Sequence, residues 1–132
     1  MSDKKIILIG LIFILLGIVL GAMGAHYLET IGISEEKINS FSVGNTYLFY
    51  NGLGLLVIAS LSEKFDFELI APFRSIVWGT ILFSGSIFSL VLLPVIGIDI
   101  NKFLGPITPI GGVVMIFGWL VLLIKHLATY KT

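Results

Sequence analysis

No cysteine occurs among the 132 residues of this chain. That absence excludes disulfides, thiolate metal centres, a cysteine nucleophile and a lipid attached at a lipobox cysteine. Charge is nearly as scarce, since Asp, Glu, Lys and Arg make up 12% of the residues, where a soluble domain carries about 25%. The eight basic and eight acidic residues balance. No Lys/Arg cluster is available to neutralise a run of phosphates, which argues against nucleic acid as a partner. Every Asp and Glu falls outside the long apolar stretches, so no carboxylate pair supports a metal site or an acid–base dyad. No catalytic residue, metal ligand or cofactor is therefore expected.

What the chain does contain is hydrocarbon. Hydrophobic residues reach 57% and the mean hydropathy is +1.08. Four long apolar runs bounded by charge account for most of the sequence, and the first, Ile6 to Ala25, has no charged or polar side chain over 20 residues. At about 1.5 Å rise per residue, a helix of about 20 residues crosses a hydrocarbon core of roughly 30 Å. The fold class expected is all-α: an integral membrane four-helix bundle in a single domain, 1–132, with transmembrane helices at about 6–28, 43–62, 75–95 and 110–127. Lys4 and Lys5, the apolar run and the small residues around Gly24 also suit a signal peptide cleaved after Gly24. The run exceeds the roughly 7 to 15 residues of a usual signal core, however, and reads as a retained helix.

The helix borders carry their own signals. Ser34 suits an N-cap, with Glu35 and Glu36 in the first turn where the helix dipole favours carboxylates, so the second helix is expected to start before the membrane does. Phe65 and Phe67, among Glu63, Lys64, Asp66 and Glu68, read as interfacial anchors. Four spans place both termini and the middle loop on one face. That face holds Lys4, Lys5, Lys64, Arg74, Lys125 and Lys131, against Lys37 and Lys102 on the other. The positive-inside rule then puts both termini in the cytoplasm.

Small residues mark where helices approach one another. Gly17 and Gly21 form a GxxxG step in the first helix, extended by Gly10, Gly24 and Ala25. The third helix has Gly79, Ser84, Gly85 and Ser86, and the fourth has Gly111, Gly112 and Gly118. The primary reading of these glycines is helix packing, and Gly17, Gly21, Gly24, Gly85, Gly111 and Gly112 are assigned to it.

Polar residues inside the spans are better clues to activity, because an unpaired polar group in hydrocarbon is costly. His26, Tyr47, Tyr50, Asn51 and Thr108 form the candidate set for a ligand site or polar network. Tyr47 and Asn51, four apart, share a helix face. A lone His more often makes one interhelical hydrogen bond than relays protons, and Asn51 can both donate and accept, which suits a bundle contact or a polar ligand. His126, beside Lys125, reads as a solvated interface residue. In Gly105 to Gly112 two prolines fix φ and remove donors. That segment reads as a stiff turn and helix start, or alternatively as a re-entrant lip whose helix N-terminus receives an anionic or carbonyl group.

Taken together, GAMGAHYL at Gly21 to Leu28, YLFYNGLGLL at Tyr47 to Leu56, LFSGSIF at Leu82 to Phe88, and ITPIGG followed by GW at Ile107 to Trp119 carry a resemblance. The chain resembles the small four-helix inner-membrane family of unknown function that includes YgdD and YwdK, with eukaryotic relatives. The resemblance spans all four helices and implies a multi-pass protein of the bacterial inner membrane with a compact bundle fold. Family members commonly carry a histidine where this chain has Asn51, which favours hydrogen bonding over proton transfer at that position.

Two readings of function follow. In the first, the chain is a non-enzymatic membrane component that associates with a second copy or with another membrane protein through the glycine faces of the first and third helices. In the second, the five polar residues converge on an outward-opening pocket for a lipid, quinone or small solute. Interior polar groups paired with one another would favour the first. A cavity lined by those residues would favour the second.

Overall fold

The computed structural model describes residues 3–130, so Lys131, which entered the charge count, lies outside the described residues. Four long helices, α1 (Asp3–Thr30), α2 (Glu35–Ser60), α3 (Ile70–Leu92) and α5 (Ile107–Tyr130), are joined by a tight turn between α1 and α2, short 3₁₀ segments, and a one-turn helix, α4 (Asn101–Leu104). No strand occurs among the described residues.

The helices run past the apolar stretches that predicted them, because backbone hydrogen bonding continues into the polar interface. Ser34 caps α2, accepting from the Lys37 amide at 3.5 Å, with Glu35 and Glu36 in the first turn. Between α1 and that cap, Gly32 takes φ 79°, a conformation that a side chain would strain. The turn is closed by the Ile33 amide donating to the Leu28 carbonyl at 3.1 Å. α3 starts at Ile70, ahead of the expected 75, because Pro72 falls in the first turn, where its missing N–H had no partner to lose. Pro109 occupies the same kind of place in α5. The Gly105 to Gly112 segment is accordingly a turn and a helix start, with helix resuming at Ile107.

Both ends of the described chain and the α2–α3 loop lie at one end of the bundle. Ser62 donates to the Asp3 carboxylate at 3.1 Å. His126 meets Phe65 edge-on at 5.7 Å, and the Lys125 ammonium sits 5.6 Å from the Phe67 ring centre. The four long helices therefore run up, down, up, down. Three stretches, Asp3–Thr30, Ile70–Ile96 and Asn101–Tyr130, are each long and apolar enough to cross a membrane. α2 matches them in length, at 26 residues, but Asn39, Ser42, Asn45, Thr46 and Asn51 dilute its hydrocarbon. It returns alongside α1, with α3 on its other side; Asn51 is buried, whereas Asn39 and Ser42 remain exposed.

Helix pairing is set by glycine. Along the antiparallel α1–α2 pair, Gly10 faces Gly52, and a Cβ on either would sit 3.0 Å from the other's carbonyl oxygen. Farther along, a Cβ at Gly17 would meet Phe49 at 3.1 Å, one at Gly24 Phe41 at 3.0 Å, and one at Gly21 the Asn45 amide nitrogen at 2.8 Å. The α3–α5 pair is closer still: Gly79 lies against the Met115 backbone, and Gly111 against the backbone of Phe83. Two expected packing glycines behave differently. Gly85 has no neighbour within 4 Å of where a Cβ would be, because that position opens onto a crevice beside α1, and Gly112 makes only an ordinary contact with the Phe83 ring at 3.5 Å. Apolar side chains fill the remaining interior in two clusters, one around Phe13, Leu55 and Ile76, the other around Leu28, Phe41 and Val91.

These distances separate the glycines experimentally. Gly79→Ala and Gly111→Ala force a methyl into a facing backbone and should each lower stability by about 2 kcal/mol or more, whereas Gly85→Ala should change it by less than about 0.5 kcal/mol. Thermal unfolding in mild detergent reads the difference, and equal losses at all three positions would contradict the packing described.

Candidate functional site

The interior polar chemistry centres on Asn51, which is 4% exposed in the middle of α2. Its carboxamide nitrogen donates to the Tyr47 carbonyl at 2.8 Å, one turn earlier, and to the Met115 sulfur at 2.8 Å. Its carboxamide oxygen accepts from the Trp119 indole N–H at 2.8 Å. Both amide protons and the oxygen are thus engaged, and α2 is tied to α5 at two successive turns. Gly54, one turn farther along α2, makes room for the indole, since a Cβ there would lie 2.7 Å from the Trp119 ring. Thr80 completes the node from α3, donating to the Ile76 carbonyl at 2.7 Å with its oxygen 3.7 Å from the Met115 sulfur.

Two further bonds stitch the helices toward the opposite end from the termini. Ser84 donates to the Gly44 carbonyl at 2.6 Å, joining α3 to α2, and the hydroxyls of Ser86 and Thr108 lie 2.6 Å apart, joining α3 to α5. Interhelical bonds of this kind contribute about 0.6 to 2 kcal/mol each in membrane bundles.

Of the five candidate residues, the structure brings three together. Tyr47, Tyr50 and Asn51 line an open groove of about 450 Å³ between α2 and α5, whose far wall is Met115, Trp119 and Leu123. Tyr47 is 43% exposed and rests edge-on against Phe83 at 5.5 Å; Tyr50 is 63% exposed. Thr108 is elsewhere, spent on Ser86 and lining a separate groove with Lys37 and Asn101. His26 stands exposed on α1, away from both grooves. The single outward pocket expected for all five residues is therefore not formed. Helical rotation explains the split: it turns His26 off the face that α1 presents to α2, while Thr108 sits near one end of the bundle and Asn51 near its middle.

Met115 and Trp119, the partners that saturate Asn51, were not among the candidates. Their spacing of four residues places them on one face of α5, but nothing in the spacing says that the face meets α2. Asn45 was likewise passed over, and its amide oxygen is the one buried side-chain acceptor without a hydrogen-bond partner among the described residues.

A family model described as a protein of unknown function, DUF423, matches residues 20–112. The chain belongs to this family. Among its relatives is a UPF0382 membrane protein of Staphylococcus epidermidis, 38% identical over 124 residues, covering 94% of this chain and 96% of the relative. The UPF0382 membrane protein YwdK of Bacillus subtilis is 38% identical over 125 residues, covering 92% and 94%. A UPF0382 membrane protein of Schizosaccharomyces pombe is 36% identical over 110 residues, covering 83% and 91%. No solved structure matches the chain. Membership places the protein among membrane proteins, in keeping with three helices fit to cross a bilayer. The relatives' names assign the family no reaction, ligand or transported solute. Within the family match lie Asn51 and Thr108; Met115 and Trp119 fall beyond its end.

The Asn51 node makes a quantitative expectation. Trp119→Phe keeps an aromatic side chain but removes the donor and orphans the Asn51 oxygen, and should cost about 1 to 3 kcal/mol. Asn51→Leu should likewise cost about 1 to 3 kcal/mol by orphaning the indole N–H. Because both remove one shared bond, the double variant should lose less than the sum, by about 0.6 to 2 kcal/mol. Strict additivity in a detergent unfolding cycle would show that the two side chains do not interact.

Proposed function

We propose that the chain is a non-enzymatic component of a bacterial plasma membrane that acts by associating with a second copy of itself or with another membrane protein. The observation that carries this reading is how the central interior uses its polar groups. Asn51, Thr80, Ser84, Ser86 and Thr108 each bond to another helix or to the backbone of their own, so chemistry that would serve a substrate serves the bundle. All eight carboxylates are exposed, and no group of three or more His, Asp or Glu gathers among the described residues.

The surface for association differs from the one the sequence suggested. The α1 glycines are covered by α2, which leaves α3. There Gly85, bare of neighbours, lies in a shallow crevice between α1 and α3 bordered by Leu16, Leu20, Ile81 and Phe88. An approaching helix can bring its backbone close at that point, and in lipid close packing is what holds helices together. Native mass spectrometry in mild detergent, with cross-linking in the membrane, tests this. A defined complex should appear for the native chain and be lost in Gly85→Leu without loss of folding. A native chain that stays monomeric by both methods would end the proposal.

The same reading places both termini in the cytoplasm, and the absence of native cysteine makes that easy to check. Glu35→Cys should react with a membrane-impermeant thiol reagent added to intact cells, and Lys64→Cys should react only after the membrane is opened. The reverse pattern would invert the topology.

A second reading, binding or transport of a lipid, quinone or small solute, is favoured by the groove between α2 and α5, where the Tyr47 and Tyr50 hydroxyls have no hydrogen-bond partner among the described residues. Native mass spectrometry of the same preparations discriminates. A defined molecule that leaves in Tyr50→Ala would favour binding over association.

A further inference from the structure

The buried polar side chains of the middle of the bundle are paired; where α1 and α2 meet toward the Thr30 and Ser34 end, the side chains of Asn39, Ser42 and Asn45 have no hydrogen bond among the described residues. Between these helices lies a cavity of about 290 Å³, walled on the α1 side by Gly21 and Gly24 and on the α2 side by Asn39, Ser42 and Asn45. The Asn45 carboxamide oxygen is buried there without a donor. Its carboxamide nitrogen lies against the α1 backbone, 2.8 Å from where a Gly21 Cβ would be. Exchanging oxygen and nitrogen does not cure the defect, because neither atom has a hydrogen-bond partner among the described residues. An interior side-chain amide left unpaired is costly in a membrane protein, so a partner from outside the chain is called for.

The shape and chemistry of the lining narrow that partner. Asn39, Ser42 and Asn45 recur every third residue along one side of α2, with side-chain donors and acceptors that no hydrogen bond among the described residues uses. Successive members rise by about 4.5 Å, which makes a ladder of polar groups rather than a single contact point. No ionisable side chain lines the cavity, which disfavours an ionic ligand, and the volume well exceeds the roughly 30 Å³ of one water. We infer that this cavity binds a neutral polyol group of glycerol size, whose hydroxyls exchange hydrogen bonds with the Asn45 carboxamide, Ser42 and Asn39. Gly21 is the residue that keeps the space open, since a methyl there would press on the Asn45 amide. Free glycerol and the glycerol head of a lipid offer the same chemistry. The site shares none of the five residues of the sequence-derived candidate set, and it stands whether or not the chain associates with a partner.

The test is a titration followed by amide NMR in an amine-oxide detergent, which has no hydroxyls of its own to compete. The probes are free glycerol, a monoacylglycerol, and the methyl ester of the same fatty acid as a tail without the polyol. Saturable shifts at Gly21, Ser42 and the Asn45 side chain are expected with the polyol probes and not with the ester. Binding should weaken by about tenfold or more in Asn45→Leu, read at the Gly21 and Ser42 amides, as expected for loss of a neutral hydrogen bond. It should weaken likewise in Gly21→Ala, which fills the space. Should Asn45→Leu fail to fold, Asn39→Ala at the cavity wall provides the corresponding loss. A response to both polyols supports a free solute, and a response to the monoacylglycerol alone supports a lipid head. No saturable shift, or equal shifts with the methyl ester, overturns the assignment and leaves Asn45 to water.

Discussion

Backbone-to-backbone approach between α3 and α5 is the constraint on which the rest of the bundle depends. In hydrocarbon the exclusion of apolar surface from water no longer distinguishes a helix neighbour from a lipid tail, so close packing and hydrogen bonds must supply the preference. Gly79 against Met115, Gly111 against Phe83 and Gly118 against Ile76 supply it along the length of this pair. Their antiparallel register delivers the Met115 sulfur and the Trp119 indole to the level of Asn51. A wider α3–α5 spacing would move both groups away from α2 and strand a carboxamide in the interior.

α2 is the element this arrangement protects. It is the least apolar of the long helices and would be a poor span alone, yet α1 and α3 cover its two sides. Its polar residues divide by depth. Asn51, at mid-bundle, has its donors and its acceptor engaged, and the Gly44 carbonyl accepts an additional hydrogen bond from Ser84. Asn45, nearer the end of the bundle opposite the termini, is buried on its oxygen side and has no hydrogen-bond partner among the described residues. The contrast follows from geometry: α5 stands behind Asn51 with polar atoms to offer, whereas the α1 face opposite Asn45 is glycine and alanine and has no side-chain donor.

Much of this architecture was legible along the chain. Helix number and approximate position follow from the length and hydropathy of each run, which depend on each segment alone. Ser34 announced its cap because a side-chain acceptor before a first turn with Glu35 and Glu36 has few other uses. The site was less legible. The four-residue spacing of Tyr47 and Asn51 correctly put them on one face, but His26 and Thr108 were grouped with them by polarity. Gly85 looked like any other packing glycine, since a lone helix shows a small residue but not what faces it.

The amino-acid sequence by itself determined that this is a helical membrane protein, where its helices lie, and that it has very little ionisable chemistry to place inside them. These properties are sums over local segments: residue transfer energies, helix rise and capping. Tertiary structure alone decided which polar residues are satisfied, which glycines touch another backbone, and where an unpaired acceptor remains. Those outcomes depend on the rotation and register of one helix against another, and rotating a helix by half a turn reverses its inward and outward faces without altering its composition.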